Sequence, residues 1–251
     1  MEQPSQGRPR VVVIMPARNS AATLEATVAG IPPGYVDQIV LVDNASRDDT
    51  VAIAERLGLT VVRHPVDRGF GGSIKSNFRT ALAAGADYII ELHPDNQYPA
   101  EEIPALLAKI QSGRYAMVIG SRFLPARNAL DYGMPWWKFV ANRFLTLMNN
   151  LMLGLRLSEF HSGFRVYDAR WVRNSRFEAF SDDFKLGFQL IGRAVEDGWA
   201  IAEIPAYCRY FPEASQNPFR GSLVYGWGTL TESFRVFMTR IGLGTARKRP
   251  T

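Results

Sequence analysis

Short apolar runs alternate with helix-compatible stretches along the first half of the chain. The runs are nearly continuous in β-branched and aliphatic residues, which is typical of strands covered on both faces of a parallel sheet. They predict strands at residues 10–16, 38–44, 59–64, 87–92 and 115–121. The intervening stretches predict helices at residues 20–30, 48–57, 73–84 and 101–111. This alternation predicts a doubly wound, Rossmann-like α/β fold with a mostly parallel sheet.

The alternation fades in the second half of the chain, after about residue 122. The pattern there predicts a loop at 123–137, a helix at 138–155, a turn at EFHSGFR, a helix near 183–197 and a strand at 200–206. No linker, internal repeat or low-complexity tract marks a second domain. We therefore expect a flexible stretch at 1–9, a single domain over 10–215, and a C-terminal amphipathic helix with a basic tail within 216–251.

The composition narrows the class of protein and of partner. With 251 residues, 47% of them hydrophobic, the chain can bury a sizeable core. The formal net charge of +5 favours anionic partners, but no stripe of basic and aromatic residues predicts nucleic-acid binding. The single cysteine, Cys208, excludes an internal disulfide framework and a cysteine-based zinc cluster. No apolar run is long enough for a signal peptide or a membrane span, so we expect a cytoplasmic protein, peripheral to a membrane at most.

Polar or glycine-rich sequences follow all five strands predicted in the first half. In chain order they read PARNS, DNASRDDT, RHPVDRGFGG, HPDNQ and GSRF. Ligands of doubly wound sheets bind beyond the carboxyl ends of the strands, so these sequences predict a binding site at that edge. The first of them is not a G-x-G-x-x-G turn, which argues against a dinucleotide fold, and RGFGGSIKS lacks the P-loop spacing.

The sequence HPDNQ places three polar side chains two residues apart. In an extended segment His93, Asp95 and Gln97 project to the same side and can converge. One carboxylate, one imidazole and one amide form a weak divalent-cation site, which a pyrophosphate would complete for Mg²⁺ or Mn²⁺. From these residues alone, a polar turn that leads into a helix is an equally good interpretation.

The sequence DNASRDDT has two interpretations as well. Asp43, Asn44 and Ser46, together with backbone amides, can bind a nucleoside. Alternatively the segment is an ordinary Asx-type turn, in which Asp48 caps the next helix. Asp48 suits that capping position under either interpretation.

The segment RGFGGSIKS is similarly ambiguous. Its glycines at 69, 71 and 72 permit close approach of the backbone to a ligand, or they only shape a loop. We expect Lys75 in the first turn of the following helix, where it can reach a phosphate or remain a solvated lysine. The segment is therefore a candidate site only in combination with the others.

Six segments together resemble a known family. PARN, LVDNASRDDT, RGFGGSIKSNFRTAL, HPDNQYP, GSRF and FHSGFRVY, spread over about residues 10–215, resemble the family 2 glycosyltransferases in motif order. The sequence looks closest to the soluble branch near dolichol- and polyprenol-phosphate mannosyl- and glucosyltransferases. The resemblance implies a GT-A fold, with a nucleotide-sugar half at 10–122 and an acceptor half at 123–215. It also implies inverting transfer from a GDP- or UDP-linked sugar, such as GDP-mannose or UDP-glucose, to a polyprenol phosphate or a small hydroxylated acceptor.

The resemblance assigns donor and metal roles to particular residues. It places the PARN residues around the nucleobase and ribose, and Asp43 on the base; the PARN residues are Pro16, Ala17, Arg18 and Asn19. Asp95 matches the last carboxylate of the family's D-x-D metal motif, and Gln97 matches a glutamine that often joins it. Two residues depart from the pattern: Asn19 replaces a common glutamate, and His93 replaces the first carboxylate. The site has one negative charge fewer, which should weaken Mg²⁺ binding and favour Mn²⁺ or joint binding with the donor.

The resemblance also implies candidates for the reaction itself. Arg122 and Arg165 suit anionic oxygens of the donor or acceptor, although Arg165 can equally tie loops together. His161 is either a site residue or a loop-packing histidine. Asp182 or Asp183 can act as the base that a hydroxyl acceptor needs. A phosphate acceptor is already an anion, so these aspartates would then only cap the following helix.

The C-terminal part leaves several alternatives open. Arg209 and Ser215 are candidates for a loop that closes over the donor. The cationic, aromatic segment 222–243 can lie on an anionic membrane, or it can pack on its own domain or on a second subunit. Two other functions compete with transfer: a sugar-1-phosphate nucleotidyltransferase, and a catalytically silent nucleotide-sugar-binding protein, which the His93 departure motivates.

Overall fold

A seven-stranded sheet organises the chain. The computed structural model describes residues 8–124, 129–210 and 219–243. Its strands are β1 (Val11–Ala17), β2 (Gln38–Asn44), β3 (Thr60–His64), β4 (Tyr88–Glu91), β5 (Tyr115–Ser121), β6 (Arg165–Asp168) and β7 (Ala200–Pro205). They are ordered β3-β2-β1-β4-β6-β5-β7, and every neighbouring pair is parallel except the two that involve β6. The predicted single-domain, doubly wound α/β fold with a mostly parallel sheet is confirmed.

Eight α-helices accompany the sheet in the described residues. They are α1 (Leu24–Ala29), α2 (Thr50–Arg56), α3 (Gly69–Ala83), α4 (Ile103–Gln111), α5 (Trp136–Leu153), α6 (Ala169–Asn174), α7 (Lys185–Glu196) and α8 (Phe219–Arg240). Two short 3₁₀ turns lie at Ala100–Glu102 and Phe177–Ala179. No helix in the described ranges is long and apolar enough to cross a membrane.

Strand β1 shows why the strand runs are continuously apolar. Its alternate residues enter two separate cores, one on each face of the sheet. Val12 and Ile14 pack in the core that contains Phe78 of α3. Val13 packs in the other core with Leu106 of α4. Because both faces are covered, no polar alternation survives along the strand.

Strand β6 is the main element that the sequence pattern does not predict. It has four residues, too few for a periodic signal, and it runs antiparallel between β4 and β5. Asp168 then caps α6, its carboxylate accepting a hydrogen bond from the Arg170 backbone amide at 2.8 Å. Because β6 pairs Arg165 with Glu91, it brings the preceding loop beside the end of β4.

Helix α3 begins at Gly69, four residues before the predicted start. Its first free amides are satisfied by a distant segment, since Gly71 donates to the Asp182 carbonyl at 2.8 Å and Gly72 donates to the same oxygen. A cap supplied from so far along the chain leaves no local sequence signal. The glycines at 69, 71 and 72 therefore belong to the helix and not to a loop before it.

Candidate active site

Three strands end in backbone conformations that non-glycine residues rarely adopt. Asn19 after β1, Ala45 after β2 and Asn96 after β4 have φ angles of 53°, 60° and 54°. Left-handed residues allow sharp turns, and their strain tends to concentrate at functional sites. These turns hold the polar segments of the three strands at the carboxyl edge of the sheet.

Three adjoining cavities lie along this edge. The β1 cavity, of about 370 Å³, is lined by Pro16, Ala17, Arg18, Asn44, Asp67 and Pro94, among others. It shares Arg18 and Asp67 with the β2 cavity, which contains Asp43, Ser46 and His64. It shares Phe70, His93, Asp95 and Phe184 with the α5 cavity, of about 270 Å³, which contains Gln97, Arg122, His161 and Arg165. Most of the predicted site residues therefore line one connected system of cavities.

Asp43 offers a buried acceptor in the β2 cavity. One oxygen, Oδ2, accepts the Ser46 backbone amide at 3.3 Å. The other, Oδ1, is buried and has no hydrogen-bond partner. A buried carboxylate oxygen without a partner is costly, so this atom is well placed to accept a hydrogen bond from a ligand.

Asn19 and Ser46 join the loops that follow β1 and β2. The Asn19 backbone amide donates to Ser46 Oγ at 2.8 Å, and Asn19 Oδ1 accepts the Arg47 backbone amide at 2.9 Å. The Asn19 and Ser46 side chains thus fix the relative position of the β1 and β2 turns.

Asp67 is a site residue that the sequence does not single out. Its Oδ1 accepts hydrogen bonds from the Gly69 backbone amide at 2.8 Å and from Asn44 Nδ2 at 2.5 Å, and its carboxylate pairs with Arg18. The Gly69 bond is the largest cause of the lowered Asp67 pKa; burial opposes it, and the Asn44 bond and the Arg18 charge reinforce it. The position of Asp67 after β3 was the available signal, but nothing in RHPVDRGFGG separates it from an ordinary loop aspartate.

Glu91 and His93 form a pair between β4 and the cavities. Buried Glu91 accepts hydrogen bonds from His93 Nε2 at 3.2 Å and from the Tyr167 hydroxyl at 2.7 Å. Burial acts to lower the His93 pKa, but the hydrogen bond and charge of Glu91 outweigh it and raise that pKa. A Cβ atom at Gly163 would lie 2.6 Å from His93 Cε1, so the loop before β6 packs directly on the ring. The imidazole is therefore held in one position where the β1 and α5 cavities meet.

Asp95 and Gln97 lie beside this pair. Asp95 Oδ1 accepts the Gln97 backbone amide at 3.2 Å, and burial raises the Asp95 pKa. Gln97 Nε2 donates to the Arg209 carbonyl at 3.1 Å, which leaves its amide oxygen as the atom suited to a cation. Within the described ranges, no group of three or more His, Cys, Asp or Glu residues could hold a metal ion. Asp95 and Gln97 alone would therefore form only part of a cation site, which a ligand's oxygens would have to complete, while His93 directs Nε2 at Glu91.

Arg122 forms a buried ion pair in the wall of the α5 cavity. Its guanidinium binds Glu159, with Nε 2.9 Å from Oε1, and it donates to the Tyr210 hydroxyl at 2.7 Å. Burial acts to lower the Arg122 pKa, but the Glu159 charge outweighs it and raises that pKa well above the usual value. Glu159 lies in the turn EFHSGFR, and the sequence pattern does not identify it as the partner of Arg122.

Arg165 and His161 also belong to this wall. Arg165 donates to the carbonyls of Ser162, Gly187 and Phe160 at 2.7, 3.0 and 3.0 Å, so it ties the loop before β6 to the first turn of α7. Burial lowers the His161 pKa to about 3, and the charges of Arg122 and Arg165 act in the same direction. His161 is therefore a neutral imidazole near pH 7.

Lys75, Asp182 and Asp183 line none of these three cavities. Lys75 is buried and donates to Asp182 Oδ1 at 2.8 Å and to the Phe180 carbonyl. Asp183 Oδ1 accepts the Lys185 backbone amide at 2.8 Å, so it caps α7. Cβ atoms at glycines 69 and 71 would lie 2.3 Å from backbone oxygens of the same segment. These residues pack the start of α3 against the start of α7.

The comparison with known proteins assigns this arrangement to a family. A family model described as glycosyl transferase family 2 matches residues 12–176, more than half of the chain. The chain belongs to glycosyl transferase family 2. The predicted family and the predicted class of enzyme, a glycosyltransferase, are confirmed.

Two curated relatives carry informative names. The chain is 29% identical over 204 residues to an undecaprenyl-phosphate mannosyltransferase of Micrococcus luteus, covering 78% of this chain and 82% of that protein. It is 23% identical over 260 residues to a UDP-N-acetylglucosamine–dolichyl-phosphate N-acetylglucosaminyltransferase of Methanococcus voltae, covering 92% and 96%. This glycosyltransferase is therefore similar to enzymes named for polyprenol phosphates.

The fold is also found in solved structures. Glucosyl-3-phosphoglycerate synthase from Mycobacterium tuberculosis, in complex with Mn²⁺, uridine diphosphate and phosphoglyceric acid, superposes with a TM-score of 0.70. The superposition covers 95% of this chain and 80% of that chain at 18% sequence identity. The glycosyltransferase has the GT-A fold, as expected.

The two candidates for a loop that closes over the donor are Arg209 and Ser215. Arg209 donates its backbone amide to the Gln97 carbonyl at 2.9 Å, and Ser215 lies outside the described residues.

Proposed function

We propose that this glycosyltransferase moves a hexose-type sugar, with inversion, from a GDP- or UDP-linked donor to a polyprenol phosphate. The observation that carries the proposal is the pair of cavities that meet at His93 and Asp95. One cavity follows the ends of the strands, as a nucleotide site should, and the other is lined by basic side chains. The names of the two curated relatives support the same class of acceptor.

The donor nucleotide would occupy the β1 and β2 cavities. Asp43 Oδ1, a buried acceptor without a partner, would bind an N–H of the base. The PARN residues and the turn with Asn44 and Ser46 would surround the base and ribose. Arg18 would have to share its charge between Asp67 and the donor, because the two side chains pair. The donor diphosphate would then reach Asp95.

The donor diphosphate would bring the oxygens that an open cation site lacks. Asp95 and Gln97 would hold Mn²⁺ or Mg²⁺ there, and His93, held by Glu91, would support the site from the side of β4. A divalent cation bound at this position offsets the negative charge of the departing nucleoside diphosphate. Asp95 would be the protein's carboxylate ligand to this cation.

The acceptor would occupy the α5 cavity, where no described side chain other than the proposed metal ligand Asp95 offers a free base, which favours a phosphate over a hydroxyl. His161 is a poor base because its pKa is about 3, and the Glu91 carboxylate is engaged with His93 and Tyr167. Asp182 and Asp183 bind Lys75 and cap α7. A phosphate oxygen needs no base, and Arg122, Lys138 and Arg165 make the wall basic, although Glu159 already pairs with Arg122. In this reaction the phosphate oxygen of the acceptor forms a bond to the anomeric carbon while the bond from that carbon to the diphosphate breaks.

A transfer assay tests the proposal. GDP-mannose, UDP-glucose and UDP-N-acetylglucosamine are each incubated with undecaprenyl phosphate or dolichyl phosphate, with Mn²⁺, with Mg²⁺ or with a chelator. We expect one donor to give a glycosyl polyprenyl phosphate in a metal-dependent way. Donor binding without turnover in every combination would favour a silent binding protein. In a separate incubation, formation of a nucleotide-sugar and pyrophosphate from a sugar 1-phosphate and a nucleoside triphosphate would favour a nucleotidyltransferase. A lipid-linked acceptor would place the enzyme on the cytoplasmic face of a membrane; a homo-oligomer remains a prediction.

A further inference from the structure

Helix α5 exposes a continuous row of large apolar side chains, which we call the α5 row. It consists of Trp136, Val140, Phe144, Leu147 and Leu151, and each exposes more than half of its surface. At about 100° per residue, the five positions fall within an arc of about 80°. Single exposed apolar residues are normal on a protein surface, but a contiguous row marks an interaction site.

The remaining faces of α5 already have partners. Trp137, Asn142 and Leu145 line the α5 cavity. Asn149 is buried and accepts a hydrogen bond from Ser233 of α8 at 2.9 Å. The row is therefore the one side of α5 that the described parts of the chain leave uncovered, and it adjoins the side that lines the cavity.

Helix α8 is a weaker candidate for the same kind of contact. The sequence singles out 222–243, but this helix packs on its own domain: Val236 is fully buried and lies against Gly192 of α7. Among its described side chains the exposed large apolar ones are Trp227 and Phe234, and Ile241 follows the end of the helix on the same face. They are spaced seven residues apart, so they form a sparser row than that of α5.

The charges next to the α5 row are basic. Helix α5 contains no acidic residue, and its two charged residues are Lys138 and Arg143. Arg143 borders the row by its helical position, Arg156 follows the helix, and both are exposed. Two copies of this chain joined through the row would bring these like charges together, whereas anionic lipid headgroups would neutralise them. A tryptophan at the start of the row also suits the boundary between headgroups and acyl chains.

We infer that the α5 row docks on the surface of a membrane that contains anionic phospholipid. Helix α5 would lie along the surface, with the row inserted at the headgroup boundary and Arg143 and Arg156 among the headgroups. The inference rests on the proposed function in one respect, since the cavity beside the row is the one proposed for the acceptor. A lipid-linked phosphate would then reach that cavity from the bilayer surface.

Vesicle sedimentation of the full chain tests this docking. The vesicles contain phosphatidylcholine with phosphatidylglycerol and no polyprenol phosphate. The double variant Phe144→Gln, Leu147→Gln should bind at least about tenfold more weakly, because two inserted apolar side chains are lost. Tyr35→Gln is the matched control: it removes an exposed aromatic just before the amino end of β2, a strand that β1 and β4 separate from β6 and β5, and should bind like the wild type.

Three results would overturn the inference. They are equal sedimentation of the double variant and the control, no sedimentation of the wild type, and a dimer that the double substitution converts to monomers. Transfer to a water-soluble, short-chain polyprenol phosphate separates docking from function. Lost vesicle binding with retained transfer supports the α5 row as a docking surface. Vesicle binding without transfer to any acceptor keeps the docking and overturns only the proposed function.

Discussion

The β1 side and the α5 side of the site are built by different means. On the β1 side, short turns after successive strands are joined by hydrogen bonds between neighbouring loops, such as those of Asn19 and Ser46. On the α5 side, buried charges organise the walls: Arg122 on Glu159, and Arg165 on three carbonyls. The first construction follows chain order, while the second depends on segments far apart in sequence. The two sides should therefore respond differently to substitution.

Removing one partner of the buried ion pair should have the largest effect. Arg122→Met leaves the Glu159 carboxylate buried without its cation, and we expect the free energy of unfolding to fall by about 3–5 kcal/mol. Arg18→Met breaks the half-exposed pair with Asp67 and should cost less than about 1 kcal/mol. Urea unfolding of both variants measures the contrast, and similar losses would refute it.

Removing the Asp95 carboxylate should have the next largest effect, and this effect should be on activity. Asp95→Ala should lower kcat/KM by roughly 100-fold, the scale of losing one electrostatic contact to a transition state. Its thermal midpoint should change little, because Asp95 accepts one backbone hydrogen bond in the described structure. Metal titration of Asp95→Asn is the control: the amide keeps the shape but loses the charge, so higher Mn²⁺ should restore only part of the rate. Undiminished transfer by Asp95→Ala would show that Asp95 does not act in the donor site.

A methyl group at Gly163 should displace the His93 ring without removing it, so this variant tests whether the position of the ring matters for activity. In Gly163→Ala the new Cβ would meet the imidazole at 2.6 Å, so the ring or the loop must shift and the hydrogen bond from His93 to Glu91 is disturbed. We expect roughly 1–3 kcal/mol of destabilisation from overpacking and a lower kcat than the wild type at saturating donor. Gly30→Ala is the control, because its Cβ would meet its nearest neighbour at an ordinary 3.4 Å. Identical kinetics in the two variants would mean that the ring position does not matter.

The two site histidines should give the smallest effects, with opposite signs. The His93 pKa is raised in the folded protein, so its stabilisation is complete below the unfolded value near 6.5 and is lost as pH rises through the folded value. The His161 pKa is lowered to about 3, so His161 reduces stability as pH falls from 6.5 toward 3. At about pH 5, His161→Gln should therefore gain stability and His93→Gln should lose it. Thermal midpoints across this range measure both, and shifts of the same sign would contradict the assignment.

The same contrast explains how much the sequence predicts. Polar segments after β1, β2 and β4 are visible because parallel strands place their carboxyl ends together, so Asp43, His93 and Asp95 can be found by position. The partners of Arg122 and Lys75 cannot be found this way. Glu159 and Asp182 lie 37 and 107 residues along the chain from them, and no local pattern links the pairs. The start of α3 is also misplaced by the sequence, since its cap comes from Asp182.

Strand β6 escapes prediction for a related reason. Four residues carry no periodicity, and the turn assigned to EFHSGFR continues directly into the strand. Glu91 illustrates the effect on the site. From the sequence Glu91 is only the last residue of a buried strand, whereas in the structure it accepts hydrogen bonds from His93 and from Tyr167 of β6.

Because the chain returns to the sheet through β6, the segment between β5 and β6 can vary without altering the strands on either side of it. The polypeptide leaves the sheet after β5 and re-enters it antiparallel as β6, with Ile119 paired to Arg165. The segment between them carries α5, Glu159 and His161, and the sheet constrains only where its two ends meet. Closing a longer loop costs little additional free energy, about 0.6 kcal/mol per doubling of length. Variation of this one insert can therefore remodel the proposed acceptor wall and the α5 row together, while the strand ends that would receive the nucleotide keep their register.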